Sequence, residues 1–186
     1  MILLIDNFDS FTYILFQYLM EWDQVKVIKN NEELPDLALL SSVVISPGPG
    51  LPKTSGLLMS YLQKIIGKIP VLGVCLGHQA IAEYYGAKLE KTPDIFHGRV
   101  SEIIHKNQGV FHSVPNQFLA NRYHSWVVSP DQFPSELEVT ARTKDGLIMG
   151  IESKSDPHVY GIQFHPESIL TEHGKTLLKT FCEKRI

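Results

Sequence analysis

The stretch that most constrains this chain is Gly73-Val74-Cys75-Leu76-Gly77. It follows the apolar run Val71 to Val74 and precedes a helical pattern from about Leu76 to Tyr85. A short apolar run suits a strand buried on both faces, so the chain must pass from strand to helix at Cys75. Glycines two before and two after the central residue permit a sharp turn without clashes between neighbouring side chains. The pattern is a nucleophile elbow with cysteine in place of serine. Such a turn lifts the sulfur to the carboxyl edge of a sheet and sets it at a helix N-terminus. The helix dipole and free N–H groups there favour the thiolate, the reactive form. A cysteine lacking that context is more often a buried packing residue, which is the reading for Cys182. Two cysteines are too few for a disulfide scaffold and point to a reducing compartment.

The rest of the chain supplies a sheet for that elbow. Ile2 to Ile5, Val25 to Ile28 and Val43 to Ile45 read as further strands. Asp9 or Ser10 is placed to cap a helix whose apolar positions are Phe11, Ile14, Leu15, Tyr18, Leu19 and Trp22. A second helix is predicted over Gly56 to Ile66. Strand–helix alternation argues for parallel strands joined by right-handed crossovers. The second half reads differently. Val100 to His105, Arg122 to Ser129, Leu137 to Arg142, Leu147 to Glu152 and Val159 to Gln163 are strand-like and joined by short turns, and Thr171 to Lys184 is a closing helix. The predicted architecture is an α/β three-layer sandwich, flavodoxin-like, with a mixed sheet made of a parallel core and antiparallel additions. Sites in such sheets lie beyond the carboxyl ends of the strands. No repeat, linker or low-complexity tract divides residues 1–186, so one domain is expected.

Composition excludes some partners. With 44% apolar and 20% charged residues the chain can build a real core, and a net charge of −3 gives no bulk attraction to nucleic acid. No apolar run approaches a membrane span, and Met1 to Ile5 is too short for a signal peptide before Asp6 interrupts it. A cytoplasmic setting is expected.

A thiol nucleophile needs a proton acceptor and later a donor to the leaving group. Histidine suits both tasks near neutral pH. Of eight histidines, His165 directly follows the apolar strand Val159 to Phe164 and should emerge at the same sheet edge as Cys75. Pro166 holds His165 extended, so Glu167, two residues on, faces the same way and can orient the imidazole. Taken alone, His165-Pro166-Glu167 could equally be a surface turn with an incidental ion pair. His78 reads as packing support. His97, His105, His112, His158 and His173 lack ligand spacing, so no metal site is expected. The loop Ser46-Pro47-Gly48-Pro49-Gly50 could aim the N–H of Gly50 at a reacting carbonyl, joining the N–H of Leu76 in an oxyanion hole. By itself it could be only a rigid turn, and it is no phosphate loop.

Six stretches carry a resemblance. They are Leu4 to Tyr13, Ile45 to Gly50, Gly73 to Ala80, His97-Gly98, Tyr123 to Ser125 and Gly161 to Ser168, in order across nearly the whole chain. The sequence resembles the class I (triad) glutamine amidotransferases, most nearly the small glutamine-hydrolysing subunits of anthranilate and aminodeoxychorismate synthases. The resemblance implies a Cys75–His165–Glu167 triad acting on L-glutamine, with an oxyanion hole from Gly50 and Leu76. It implies substrate contacts from Gly48, Gln79, Ser125 and Trp126, the last two mainly through the backbone. It implies no cofactor in this subunit and, as its partner, a large chorismate-binding synthase subunit. The motif from Asn7 to Tyr13 separates this subgroup from the amidotransferase domains of GMP and CTP synthesis. Three positions depart from the usual pattern: Trp126 for leucine, Arg99 for lysine and Ile14 for asparagine. Two other readings fit the residues alone, a γ-glutamyl peptidase-like cysteine hydrolase and a catalytically silent binding subunit.

Overall fold

The computed structural model describes residues 1–156 and 158–184. Nine strands form one sheet: β1 (Ile2–Asp6), β2 (Val25–Lys29), β3 (Ser42–Ile45), β4 (Val71–Val74), β5 (Leu89–His105), β6 (Phe118–Val128), β7 (Leu137–Thr143), β8 (Ile148–Ser153) and β9 (Val159–Ile162). Their order is β2-β1-β3-β4-β9-β8-β7-β5-β6. The first five run parallel, with Leu72 opposite Val44 and Tyr160 opposite Leu72. The remaining pairings are antiparallel. The mixed sheet expected from the sequence is therefore present, and it changes direction at β9.

Helices cover both faces, and the central strands β1, β3, β4 and β9 are largely apolar and buried at every position. Ile2, Leu4, Val44 and Leu72 point to one side, where they pack with Leu15 and Leu19 of α1 (Thr12–Leu19) and Leu177, Leu178 and Phe181 of α4 (Gly174–Lys184). Leu3, Ile5, Val43 and Ile45 point to the other, against Leu58, Leu62 and Ile65 of α2 (Leu58–Ile65) and Ala80 and Ile81 of α3 (Leu76–Tyr84). Alternation of side chains along each strand thus divides one apolar sequence between two cores. Cys182 is buried in the first of them.

Several boundaries differ from expectation. Neither Asp9 nor Ser10 caps α1. The chain makes an additional turn first, in which Asp9 Oδ1 accepts from the Phe11 N–H and Asp6 Oδ1 from the Thr12 hydroxyl. α2 begins at Leu58 because Gly56, at φ +56°, packs against the Asn30 carbonyl. α4 begins at Gly174 because Thr171 spends its hydroxyl on the His165 carbonyl, 2.6 Å away. β5 starts eleven residues before the expected Val100. Two register shifts against β6 let it continue through the irregular segment around Gly98, which sits at φ +70°.

Candidate active site

The elbow is built by steric necessity. A Cβ at Gly73 would lie 2.3 Å from the Gly77 backbone, and one at Gly77 would lie 2.7 Å from the Ile45 carbonyl oxygen. Both positions must therefore be glycine for β4 to feed α3 this tightly. Cys75 between them has φ +52° and ψ −100°, a strained conformation for a residue with a side chain. Its N–H bonds the Ile162 carbonyl at 2.8 Å, which ties the turn to the neighbouring strand β9. Leu76 opens α3, so its N–H is among those with no acceptor inside the helix.

β9 delivers the second part. β4 and β9 are adjacent and parallel, with Val74 opposite Ile162. His165 lies just past the end of β9 and is 2% exposed; Glu167 is 1% exposed. Glu167 Oε1 is 2.6 Å from His165 Nδ1. With a carboxylate as acceptor, Nδ1 carries the proton. Nε2, buried and outside hydrogen-bond reach of any partner among the described residues, is the nitrogen that can serve the sulfur after a small approach. Burial works against charge on this ring. Interactions with Cys75 and Glu167 outweigh it, and hold the imidazolium well above the usual histidine range. Phe11 and Tyr123 flank the ring, with centroids 5.8 and 5.2 Å from it. The backbone is fixed as well: the His165 N–H bonds the Asn121 carbonyl at 3.0 Å.

The third part comes from the far border of the sheet. β6 is the last strand of the sheet, five places from β4. Yet the Tyr123 carbonyl oxygen lies 3.8 Å from Cys75 Sγ, so the antiparallel half curls back over the elbow. Gly48, Pro49, Gly50, Cys75, Gln79, Tyr123, His124, Ser125 and Trp126 line one cavity of about 160 Å³. This is below the roughly 300–1,000 Å³ of drug-sized pockets and suits a small substrate. A larger groove of about 370 Å³, along Ile104 to Lys106 and Val139 to Lys144, holds no part of this constellation. Leu76, the residue after Cys75, is buried and is not among the cavity-lining residues.

The sequence reading named Gly48, Gln79 and Trp126 but gave no site role to Asn7, Arg122 or His124. Asn7 clamps the proline–glycine loop: its Nδ2 donates to the Ser46 carbonyl at 2.8 Å, and its N–H to Ser46 Oγ at 2.9 Å. Gly48 is wedged so closely that a Cβ there would meet Asn7 Cβ at 2.5 Å and Leu76 Cδ2 at 2.8 Å. Gln79 donates to the Trp126 carbonyl at 2.9 Å, so Trp126 meets the site through its backbone while Lys91 sits over its ring. Arg99 lies on the surface, over Phe96. Arg122 is buried, donates through Nε to His124 Nε2 at 3.0 Å and lies 3.5 Å above the Phe96 ring. Burial, reinforced by Arg122, pushes His124 down to about 3. Burial takes His78 to about 4, consistent with packing support against Gly161. Both rings are neutral at pH 7. No group of three or more His, Cys, Asp or Glu among the described residues could hold a metal ion.

Comparison with known proteins decides the family. Residues 3–185 match the model of the glutamine amidotransferase class-I family. The chain belongs to the class I glutamine amidotransferases. This amidotransferase is 48% identical to the anthranilate synthase component 2 of Cyanophora paradoxa, over 97% of each chain. It is 44% identical to the aminodeoxychorismate/anthranilate synthase component 2 of Bacillus subtilis, covering 98% of this chain and 96% of that one. With the aminodeoxychorismate synthase component 2 of Escherichia coli it shares 43% identity over 99% of this chain and the whole of that one. The fold matches a solved putative GMP synthase component from Thermoplasma acidophilum, with a TM-score of 0.88 at 23% identity, over 99% of this chain and 92% of that one. No helix of the amidotransferase, among the described residues, is long and apolar enough to cross a membrane.

Proposed function

We propose that this amidotransferase hydrolyses glutamine through Cys75, His165 and Glu167 and passes the ammonia to a chorismate-using synthase subunit. The product would be anthranilate, 4-amino-4-deoxychorismate or both. The observation that carries the reading is the strained Cys75 elbow beside a strand ending in a buried His165–Glu167 pair.

Glutamine enters the cavity with its amide carbonyl over the elbow. The Cys75 thiolate attacks that carbon, and the N–H groups of Gly50 and Leu76 meet the charge that develops on oxygen. Protonated His165 gives its proton to the departing nitrogen, which leaves as ammonia and yields a γ-glutamyl thioester. Neutral His165 then takes a proton from water as it attacks the thioester, which releases glutamate and regenerates the Cys75 thiolate and the protonated His165. Gly48, Gln79, Ser125 and Trp126 seat the substrate. Every step uses groups of the chain itself, and we assign no metal or cofactor to this subunit.

Two features support a partner. The relatives at 43–48% identity are named as components 2 of synthases. Large apolar side chains are also exposed where the loops beyond the carboxyl edge gather: Phe8 after β1, Tyr13 at the start of α1, and Ile169 and Leu170 after the His165 turn. Ile169 is 95% exposed. Such a rim needs a protein cover. Ammonia serves as a nucleophile only when unprotonated, so an enclosed route into a docked partner avoids its loss as ammonium. We place the complex in the cytoplasm and treat the chain as one domain.

The test has two arms. Cys75→Ala should abolish glutaminase activity and His165→Ala should reduce it at least a thousandfold; normal turnover in either would end the triad assignment. The chain captured from its own cells should bring down a large subunit that makes an aminated product from chorismate and glutamine. The isolated chain should turn over slowly, and fast partner-independent hydrolysis would refute the coupling.

A further inference from the structure

Gln163 is fully buried between Ile162, the last residue of β9, and Phe164, and the mechanism above gives it no task. It lies two residues before His165, in the bend that follows β9. Its Nε2 lies 3.6 Å from Cys75 Sγ. Its Oε1 accepts from Gln79 Nε2 at 3.1 Å, and the same Gln79 nitrogen donates to the Trp126 carbonyl at 2.9 Å.

These contacts fix both amides. A backbone carbonyl only accepts, so Gln79 must present its NH₂ to Trp126. That NH₂ has a second hydrogen, which goes to Gln163, so Gln163 must present oxygen to Gln79 and its own NH₂ to the sulfur. We propose that Gln163 is the side-chain hydrogen-bond donor to the Cys75 sulfur, and that Gln79, anchored on the Trp126 carbonyl, positions it. The inference rests on Cys75 being the nucleophile, as proposed above.

The consequence is a preference for charge on sulfur. The Tyr123 carbonyl can only accept, so it favours the neutral thiol, whose hydrogen it can take. Gln163 can only donate on that side, and favours the thiolate. The titratable groups nearby are His165, backed by Glu167, which interacts with Cys75 from the β9 extension; His124, neutral, which lines the same cavity from β6; and His78, neutral, three residues after Cys75 on α3. Gln163 thus adds an uncharged donor to the imidazolium. Unlike His165, it keeps its hydrogens when the histidine gives up its proton to the leaving group. The sulfur retains a donor through the whole cycle, including the step in which it is expelled from the thioester as an anion.

The experiment follows the rate of iodoacetamide alkylation of Cys75 in the full chain against pH, with peptide mapping to separate Cys75 from Cys182. Gln163→Glu is nearly isosteric and keeps the acceptor for Gln79, but turns an oxygen toward the sulfur. It should alkylate at least tenfold more slowly at pH 7 and recover the parental rate in alkali. Gln163→Leu, which only removes the donor, should slow the reaction about tenfold at pH 7 with the same recovery. Gln79→Leu should reproduce part of the effect and add little to Gln163→Leu, because the two act in series. Rates lowered equally at every pH, or unchanged, would overturn the donor role and leave the nucleophile standing. Normal glutaminase activity in Cys75→Ala would instead remove the reading beneath it.

Discussion

His165 Nδ1 and Glu167 Oε1 are 2.6 Å apart in a pair almost wholly shielded from water. A charge pair buried so deeply costs desolvation of both partners, and that cost is offset only while both stay in place. Glu167→Gln keeps the shape and removes the charge. It should lower kcat/KM for glutamine about 10²- to 10⁴-fold and shift the His165 titration, followed by NMR, toward lower pH. An unchanged titration would show that Glu167 does not govern the ring.

Buried histidines should set the pH range of stability. His78 and His124 titrate near 4 and 3 in the fold, against about 6.5 when unfolded. Below pH 6.5 the unfolded chain takes up protons that these folded rings refuse, so stability falls as pH falls, by at most about 1.4 kcal/mol per pH unit for each. His165 is raised instead. Its contribution is complete below about 6.5 and is lost as pH climbs through its folded value. Urea unfolding should therefore show maximal stability near pH 6.5. A plateau extending to pH 5 would contradict the acid side of this account.

Gly48→Ala should be destabilising and nearly inactive. Its Cβ would enter space held by Asn7 and Leu76, so either the loop or the elbow must shift. We expect a loss of about 1–3 kcal/mol in unfolding free energy and at least a tenfold loss of glutaminase activity. Retention of both would mean the loop yields without consequence for the oxyanion site.

Trp126→Leu should be tolerated. The polar contact of Trp126 with Gln79 uses the carbonyl, which every residue has, and the Lys91 contact over the indole is worth only about 0.5–1 kcal/mol at a surface. Glutamine KM should stay within about threefold. A larger change would show that the indole itself touches substrate.

Local sequence carries much of this. Apolar runs mark the central parallel strands, because burial on both faces favours apolar side chains at nearly every position, whereas the edge strand β2 carries lysines among its apolar residues. The paired glycines mark the elbow, because no other residue fits at 73 or 77. What sequence leaves unread depends on contacts between distant segments. Apart from the resemblance that put Ser125 and Trp126 at the site, nothing near Tyr123 says that the last strand of the sheet should lie against Cys75, because strand order and long-range approach are not written in local sequence. The long β5 reads as a shorter strand because its bulges interrupt the alternation of side chains. Gln163 has a local signal, its place two residues before His165, but its partner Gln79 lies on another element. The cap expected at Asp9 or Ser10 is absent because Asp6 and Asp9 serve an extra turn before α1.

The return of β6 to the elbow ties the pocket to the outermost strand of the sheet. The cysteine elbow needs only the parallel half, while the His165 backbone is held by Asn121 and the opposite wall of the glutamine pocket is built by the same strand at the far border. A partly folded chain would own a reactive sulfur but no place to hold an amino acid. Hydrolysis of glutamine is therefore a sensitive gauge of complete folding, and mutations that loosen the outer ribbon should silence the protein well before they melt it.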